Sequence, residues 1–105
     1  MRVDERDHVV VITFQAEQFS DLWRTVEPLL EKGKRSFVID LTSVKFLNSL
    51  SIASIITARN KVTTAGGKFA LTGLADHVKS VFRILKLERL FKLDQTMEQA
   101  FAAVK

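Results

Sequence analysis

Val38-Ile-Asp-Leu-Thr-Ser-Val-Lys-Phe-Leu-Asn-Ser-Leu-Ser-Ile52 carries the chain out of a strand and into a helix. The apolar run that ends there, Ser36 to Leu41, contains Phe37, Val38, Ile39 and Leu41 and reads as a strand buried in the middle of a sheet. A short loop follows, and a helix opens at Asn48 or Ser49, both of residue types that favour helix starts. That order puts a serine hydroxyl at a helix N-terminus, just beyond the carboxyl end of a strand. Unpaired N–H groups and the positive end of the helix dipole favour an anion at such a place. A phosphate on Ser49, adding about −1.5 to −2 charge, would suit it electrostatically. The plainer reading is that Asn48 or Ser49 only caps the helix.

Outward from this junction the chain alternates strand and helix signals. Residues 1–7 are mostly charged and read as an edge strand or a tail. His8 to Phe14 is a nearly continuous β-branched run, hence a buried strand. Gln15 to Phe19 is a polar connection. Ser20 then precedes a helix that starts at Asp21-Leu22-Trp23 and presents Leu22, Val26, Leu29 and Leu30 on one face. Pro28 inside that pattern predicts a kink or a break, and Gly33 marks the end of the helix.

Beyond the junction, a helix over 49–65 carries Ile52, Ile55, Ile56 and Val62 on one side. Ser51, Ser54 and Ala58 form a small-residue face, for which solvent exposure is expected. Gly66-Gly67 supplies the stop. Lys68 to Thr72 is a third strand. Asp76 either caps the next helix or lies in its first turn, and Val78, Val81, Phe82 and Leu85 form its core stripe. Lys79, Arg83 and Lys86 line its other side. Leu90 to Leu93 is short and apolar enough for a last strand. Asp94 or Thr96 caps a final helix, Met97 to Val104, with Met97, Ala100, Phe101 and Val104 inward. This alternation argues an α/β sandwich with parallel neighbouring strands.

The 105 residues suffice for one domain with a core of its own, and 47% of them are hydrophobic, the usual level for a soluble globular protein. Neither a signal peptide nor a membrane span is expected, because the N-terminus is charged and no run nears ~20 apolar residues. With no cysteine, disulfides and zinc-thiolate sites are excluded. A cytoplasmic protein without membrane insertion is the expectation. The net charge of +4 is uneven: residues 1–50 carry −1 and residues 51–105 carry +5. A basic second half makes an acidic partner conceivable.

Catalytic machinery is sparse. The two histidines, His8 and His77, lie at a strand edge and a helix start, and His77 and its neighbour Asp76 diverge in direction on a helix. Paired carboxylates, metal-ligand spacing and a phosphate-binding glycine loop are all missing from the sequence. No enzyme, cofactor or metal is predicted. The stripe Lys79, Arg83, Lys86, continued by Arg89 and Lys92, fits either a solvated helix face or a nucleic-acid or membrane surface. Phe82 and Phe91 fall in apolar patterns, so no aromatic platform for bases is evident and direct nucleic-acid binding is not expected.

Four stretches together resemble the STAS domain family, specifically the bacterial anti-sigma factor antagonists. They are Phe37-Val-Ile-Asp-Leu-Thr-Ser-Val-Lys-Phe-Leu-Asn-Ser49, Ala65-Gly-Gly-Lys-Phe-Ala-Leu-Thr-Gly73, Val78 through Leu93, and Glu98-Gln-Ala-Phe101. Their order and spacing cover essentially residues 8–104. The resemblance implies an α/β, STAS-like fold: a mostly parallel four- to five-stranded sheet flanked by about four helices.

In that family the loop before the second helix reads Asp-Ser-Ser/Thr-Gly, and its first serine is phosphorylated by a partner that is both anti-sigma factor and serine kinase. Here the aligned residues are Asn48, Ser49, Leu50 and Ser51, of which Ser49 matches. The resemblance therefore implies a partner-switching regulator, monomeric or weakly dimeric. It binds the anti-sigma factor through Asn48, Leu50, Ser51 and Ser54 and is released on phosphorylation of Ser49. The alternative within the fold is a non-phosphorylated STAS subunit of a bacterial lipid-transport ABC complex.

Overall fold

A computed structural model of the chain describes residues 2–14 and 22–105. The elements run β1 (Arg2–Arg6), β2 (Val9–Thr13), α1 (Leu22–Glu31), β3 (Ser36–Asp40), α2 (Ser49–Thr64), β4 (Lys68–Thr72), α3 (Asp76–Ile84), a 3-10 turn (Leu87–Arg89) and α4 (Met97–Val104). The strands form one mixed sheet in the order β1-β2-β3-β4. β1 is antiparallel to β2, whereas β2, β3 and β4 are mutually parallel. Four helices flank it, as expected of a STAS-like α/β fold.

Strand periodicity divides the core into two layers. Val10, Ile12, Phe37, Ile39 and Leu71 point to the face covered by α1, α2 and α3, where they meet Val26, Ile55, Val62, Val78 and Phe82. Val9, Val11, Val38 and Ala70 point to the opposite face and pack with Ala100 and Val104 of α4. Both faces of β2 and β3 are thus buried along Val9–Ile12 and Phe37–Ile39, which is why those residues are all apolar. The α4 helix begins with a full capping box: Thr96 Oγ1 accepts from Gln99 N at 3.1 Å and Thr96 N donates to Gln99 Oε1 at 2.9 Å.

Several expectations change. Residues 2–6 are an edge strand rather than a tail, and β2 starts at Val9 because Asp7 and His8 form the hairpin turn, both at positive φ. The polar connection Gln15 to Phe19 and the helix-start residues Ser20 and Asp21 lie outside the described residues. Pro28 does not break α1, which continues to Glu31 with Leu22 and Val26 buried. The small-residue face of α2 packs inward instead of lying open to solvent: Ser51 and Ala58 are buried, and the half-buried Ser54 Oγ accepts from Leu22 N of α1 at 2.7 Å. Small side chains there let α1 approach α2 closely.

Leu85 caps the C-terminus of α3 and is 51% exposed instead of joining the core stripe. Leu90 to Leu93 is not a strand. The N–H groups of Leu90 and Phe91 both donate to the Leu87 carbonyl, at 2.9 and 3.1 Å, so they are not available for a sheet ladder. Phe91 and Leu93 still turn inward and stay buried.

Candidate functional site at the N-terminus of α2

The route from β3 to α2 is built in three steps. Asp40 ends β3, and its Oδ1 accepts from both the backbone N–H (2.9 Å) and the hydroxyl (2.5 Å) of Thr42. Gly73, just past β4, presses against this knot: a Cβ there would lie 2.2 Å from Thr42 Oγ1 and 2.8 Å from Asp40 Oδ1. Leu41 and Val44 then sink into the core, with Val44 N donating to Leu41 O at 2.9 Å. The chain is thereby aimed so that Asn48 meets the helix start.

Asn48, not Ser49, is the cap. It is extended (φ −92°, ψ 173°), and its Oδ1 accepts from Ser51 N at 2.8 Å and Ser51 Oγ at 2.9 Å. Ser49 is therefore the first helical residue. It is exposed, and among the described residues its hydroxyl has no hydrogen-bond partner. The backbone N–H groups of Ser49 and Leu50 belong to the helix's open first turn, and that turn carries no acid. An oxyanion on Ser49 would sit where the helix end is most positive.

The other expected residues divide into two groups. Asn48 and Leu50 share the surface with Ser49, and Leu50 is 82% exposed. Ser51 is buried with its hydroxyl committed to Asn48, and Ser54 ties α2 to α1. These two hydroxyls shape the site from behind.

Sequence reasoning missed Phe46. It is 73% exposed and meets the His77 ring edge-on at 5.3 Å, linking the loop to the start of α3. No local signal in the sequence marks it: only the inward turn of Leu41, Val44 and Leu47 leaves Phe46 in solvent. Phe46 and Leu50 flank the cap on either side in sequence and both project into solvent. Aromatic side chains such as Phe46 are enriched in protein interfaces relative to the rest of the surface.

Among the described residues no cluster of three or more His, Asp or Glu could hold a metal ion. No described helix is long and apolar enough to cross a membrane.

Residues 1–100 match the family model for the STAS domain. A candidate anti-sigma factor antagonist of Thermotoga neapolitana is 30% identical over 78 residues, covering 74% of this chain and 69% of that protein. The crystal structure of a candidate anti-sigma factor antagonist from Thermotoga maritima superimposes with a TM-score of 0.83 at 23% identity, covering 98% of this chain and 92% of the other. That of an anti-sigma factor antagonist from Mycobacterium paratuberculosis gives 0.82 at 20% identity, covering 98% and 91%.

Proposed function

The chain belongs to the STAS domain family, and from that premise we propose that it is an anti-sigma factor antagonist that works by partner switching. In this reading it is a binding module rather than an enzyme. Its partner is an anti-sigma factor with serine kinase activity, and Ser49 is the phosphoacceptor. The observation that carries the reading is the division of labour at the helix start. Asn48 does the capping, so Ser49 is left exposed with a hydroxyl that no described residue engages. A serine that only capped would have its oxygen on a backbone N–H.

Phe46, Leu50 and Asn48 form the contact surface around Ser49 in this proposal, while Ser51 and Ser54 hold its geometry. Docking buries Leu50 and Phe46 and excludes water from the helix end. A phosphate on Ser49 would then be desolvated against the partner. Without a matching cation that costs several kcal/mol, on the order of what separates micromolar binding from none.

The test is affinity capture from the source cell with wild type, Ser49→Ala and Ser49→Asp, read by mass spectrometry. The expected result is an ATP-binding anti-sigma factor retained by wild type and Ser49→Ala and lost with Ser49→Asp. Equal retention of one partner by all three proteins would remove Ser49 from the switch. Retention of transporter subunits instead would establish the membrane-complex alternative.

A further inference from the structure

The tip that closes α3 has a composition the Ser49 surface does not explain. Ile84 is 77% exposed, Leu85 51% and Leu90 37%. They do not belong to a loose segment. Leu85 N donates to Val81 O at 3.1 Å, and Lys86 N donates to Arg83 O at 3.0 Å. Lys86 then takes the left-handed conformation (φ 60°, ψ 30°), a costly one for a residue with a side chain. Beyond the 3-10 turn, Phe91 is buried, with its ring centroid 5.7 Å from that of Phe82 and 6.1 Å from that of Phe69. The tip is held from inside by Phe91 and presents Ile84, Leu85 and Leu90 outward.

The cations around it separate into two groups. Asp94 engages Lys79 at 2.8 Å and Arg83 at 3.6 Å, which takes both out of the basic stripe. Lys86, Arg89 and Lys92 make no ion pair among the described residues, and Glu88 is the one acid between Ile84 and Lys92. What remains is three exposed apolar side chains interleaved in sequence with three exposed cations that make no ion pair among the described residues.

We propose that this tip, Ile84 to Lys92, docks peripherally on an anionic membrane surface. Ile84, Leu85 and Leu90 enter the headgroup layer, while Lys86, Arg89 and Lys92 meet lipid phosphates. The charge pattern selects this occupant. An anionic bilayer offers both negative charge at its surface and an apolar layer just beneath it, and the tip exposes both cations and aliphatic groups within nine residues. A nucleic acid supplies the charge but no apolar layer for Ile84, and the aromatic rings that could stack on bases, Phe82 and Phe91, are buried. The tip also stands clear of the Ser49 surface. Phe46 meets α3 at His77, and Ile84 lies seven residues further along that helix, roughly 10 Å away at the helical rise.

Sedimentation of the full chain with vesicles tests this. One set is phosphatidylcholine alone, and the other contains about one-third phosphatidylglycerol, both at about 0.1 M salt. Binding to the anionic set is expected to be at least roughly tenfold stronger and to weaken as salt rises. Lys86→Gln/Arg89→Gln/Lys92→Gln is expected to bring it down to the phosphatidylcholine level. Ile84→Ser/Leu85→Ser, which keeps every charge, is expected to weaken it at least about threefold. All five positions are exposed, and thermal unfolding verifies that both variants fold. No binding to anionic vesicles, equal binding to the two sets, or unchanged binding by either variant would each overturn the proposal. So would retention of the protein on an acidic polypeptide column without any on vesicles.

Discussion

Asn48 Oδ1 takes two hydrogen bonds from one residue, Ser51, through its backbone N–H and its hydroxyl. That pairing frees Ser49, which lies between them in sequence, from structural duty. It also means that the helix start and the buried Ser51 hydroxyl depend on one side chain. Asn48→Ala is expected to lower stability by about 1–2 kcal/mol, the cost of a lost cap plus a buried hydroxyl without its acceptor. Denaturant midpoints at constant slope would measure it. A change below about 0.3 kcal/mol would mean that water replaces the cap.

Ser49 separates binding from stability. Ser49→Ala should alter stability by less than about 0.5 kcal/mol, since no intramolecular bond is lost. Ser49→Asp places a carboxylate at the first helical position and should stabilise the free protein by about 0.3–1 kcal/mol. Under the partner-switching proposal the same substitution abolishes partner binding. Thermal melts alongside binding isotherms would show the two effects with opposite signs. A Ser49→Asp protein that loses binding and stability together would indicate simple damage to the helix start.

Gly73 is the hinge of the knot that aims the loop toward the site. Its φ is +74°, and an added Cβ would fall 2.2 Å from Thr42 Oγ1. Gly73→Ala therefore combines left-handed strain with a close contact and should cost about 2–4 kcal/mol. Because the Asp40–Thr42 contact must shift to admit the methyl group, partner affinity should also fall. The measurement is urea unfolding together with partner titration.

Asp94 gives an acid-dependent contribution. Its carboxyl is held below the ordinary value of 3.8, chiefly by the hydrogen bond from Lys79 and the charge of Lys79, with Arg83 adding to it. A carboxylate whose folded value is depressed stabilises the fold above its unfolded value and loses that contribution as pH falls through the folded one. Asp94→Asn should thus be slightly less stable than wild type at pH 7, and the gap should begin to narrow as pH falls below about 4 and close once the folded carboxyl is protonated. The group is solvent-exposed, so the gap should also shrink in about 1 M salt. Melting temperatures across this pH range would check it. A gap that does not narrow as pH falls below about 4 would place its origin outside the ion pairs.

The order of elements was readable because strand and helix signals are local. Phe37 to Ile39 is apolar on both faces, Gly66 stops α2 at φ +84°, and Thr96 with Gln99 encodes a cap within four residues. Serine at the start of α2 was readable for the same reason. Which residue capped was not, since Asn48 and Ser49 suit the role equally and only the backbone geometry at Asn48 selects one.

What the tertiary structure alone decided concerns surfaces and edges. The short, apolar Leu90 to Leu93 stretch fits a strand as well as a loop pinned by Phe91 and Leu93. The difference is that the Leu87 carbonyl takes the N–H groups of Leu90 and Phe91. The serines and alanine of α2 look solvent-facing until α1 lies against them, and Leu85 continues an apolar stripe that runs past the end of its helix. Phe46 is an ordinary loop residue until the inward turn of Leu41, Val44 and Leu47 leaves it in solvent beside His77. Periodicity specifies which residues share a face. Which faces meet, and which are left for something outside the chain, depends on packing between segments distant in sequence.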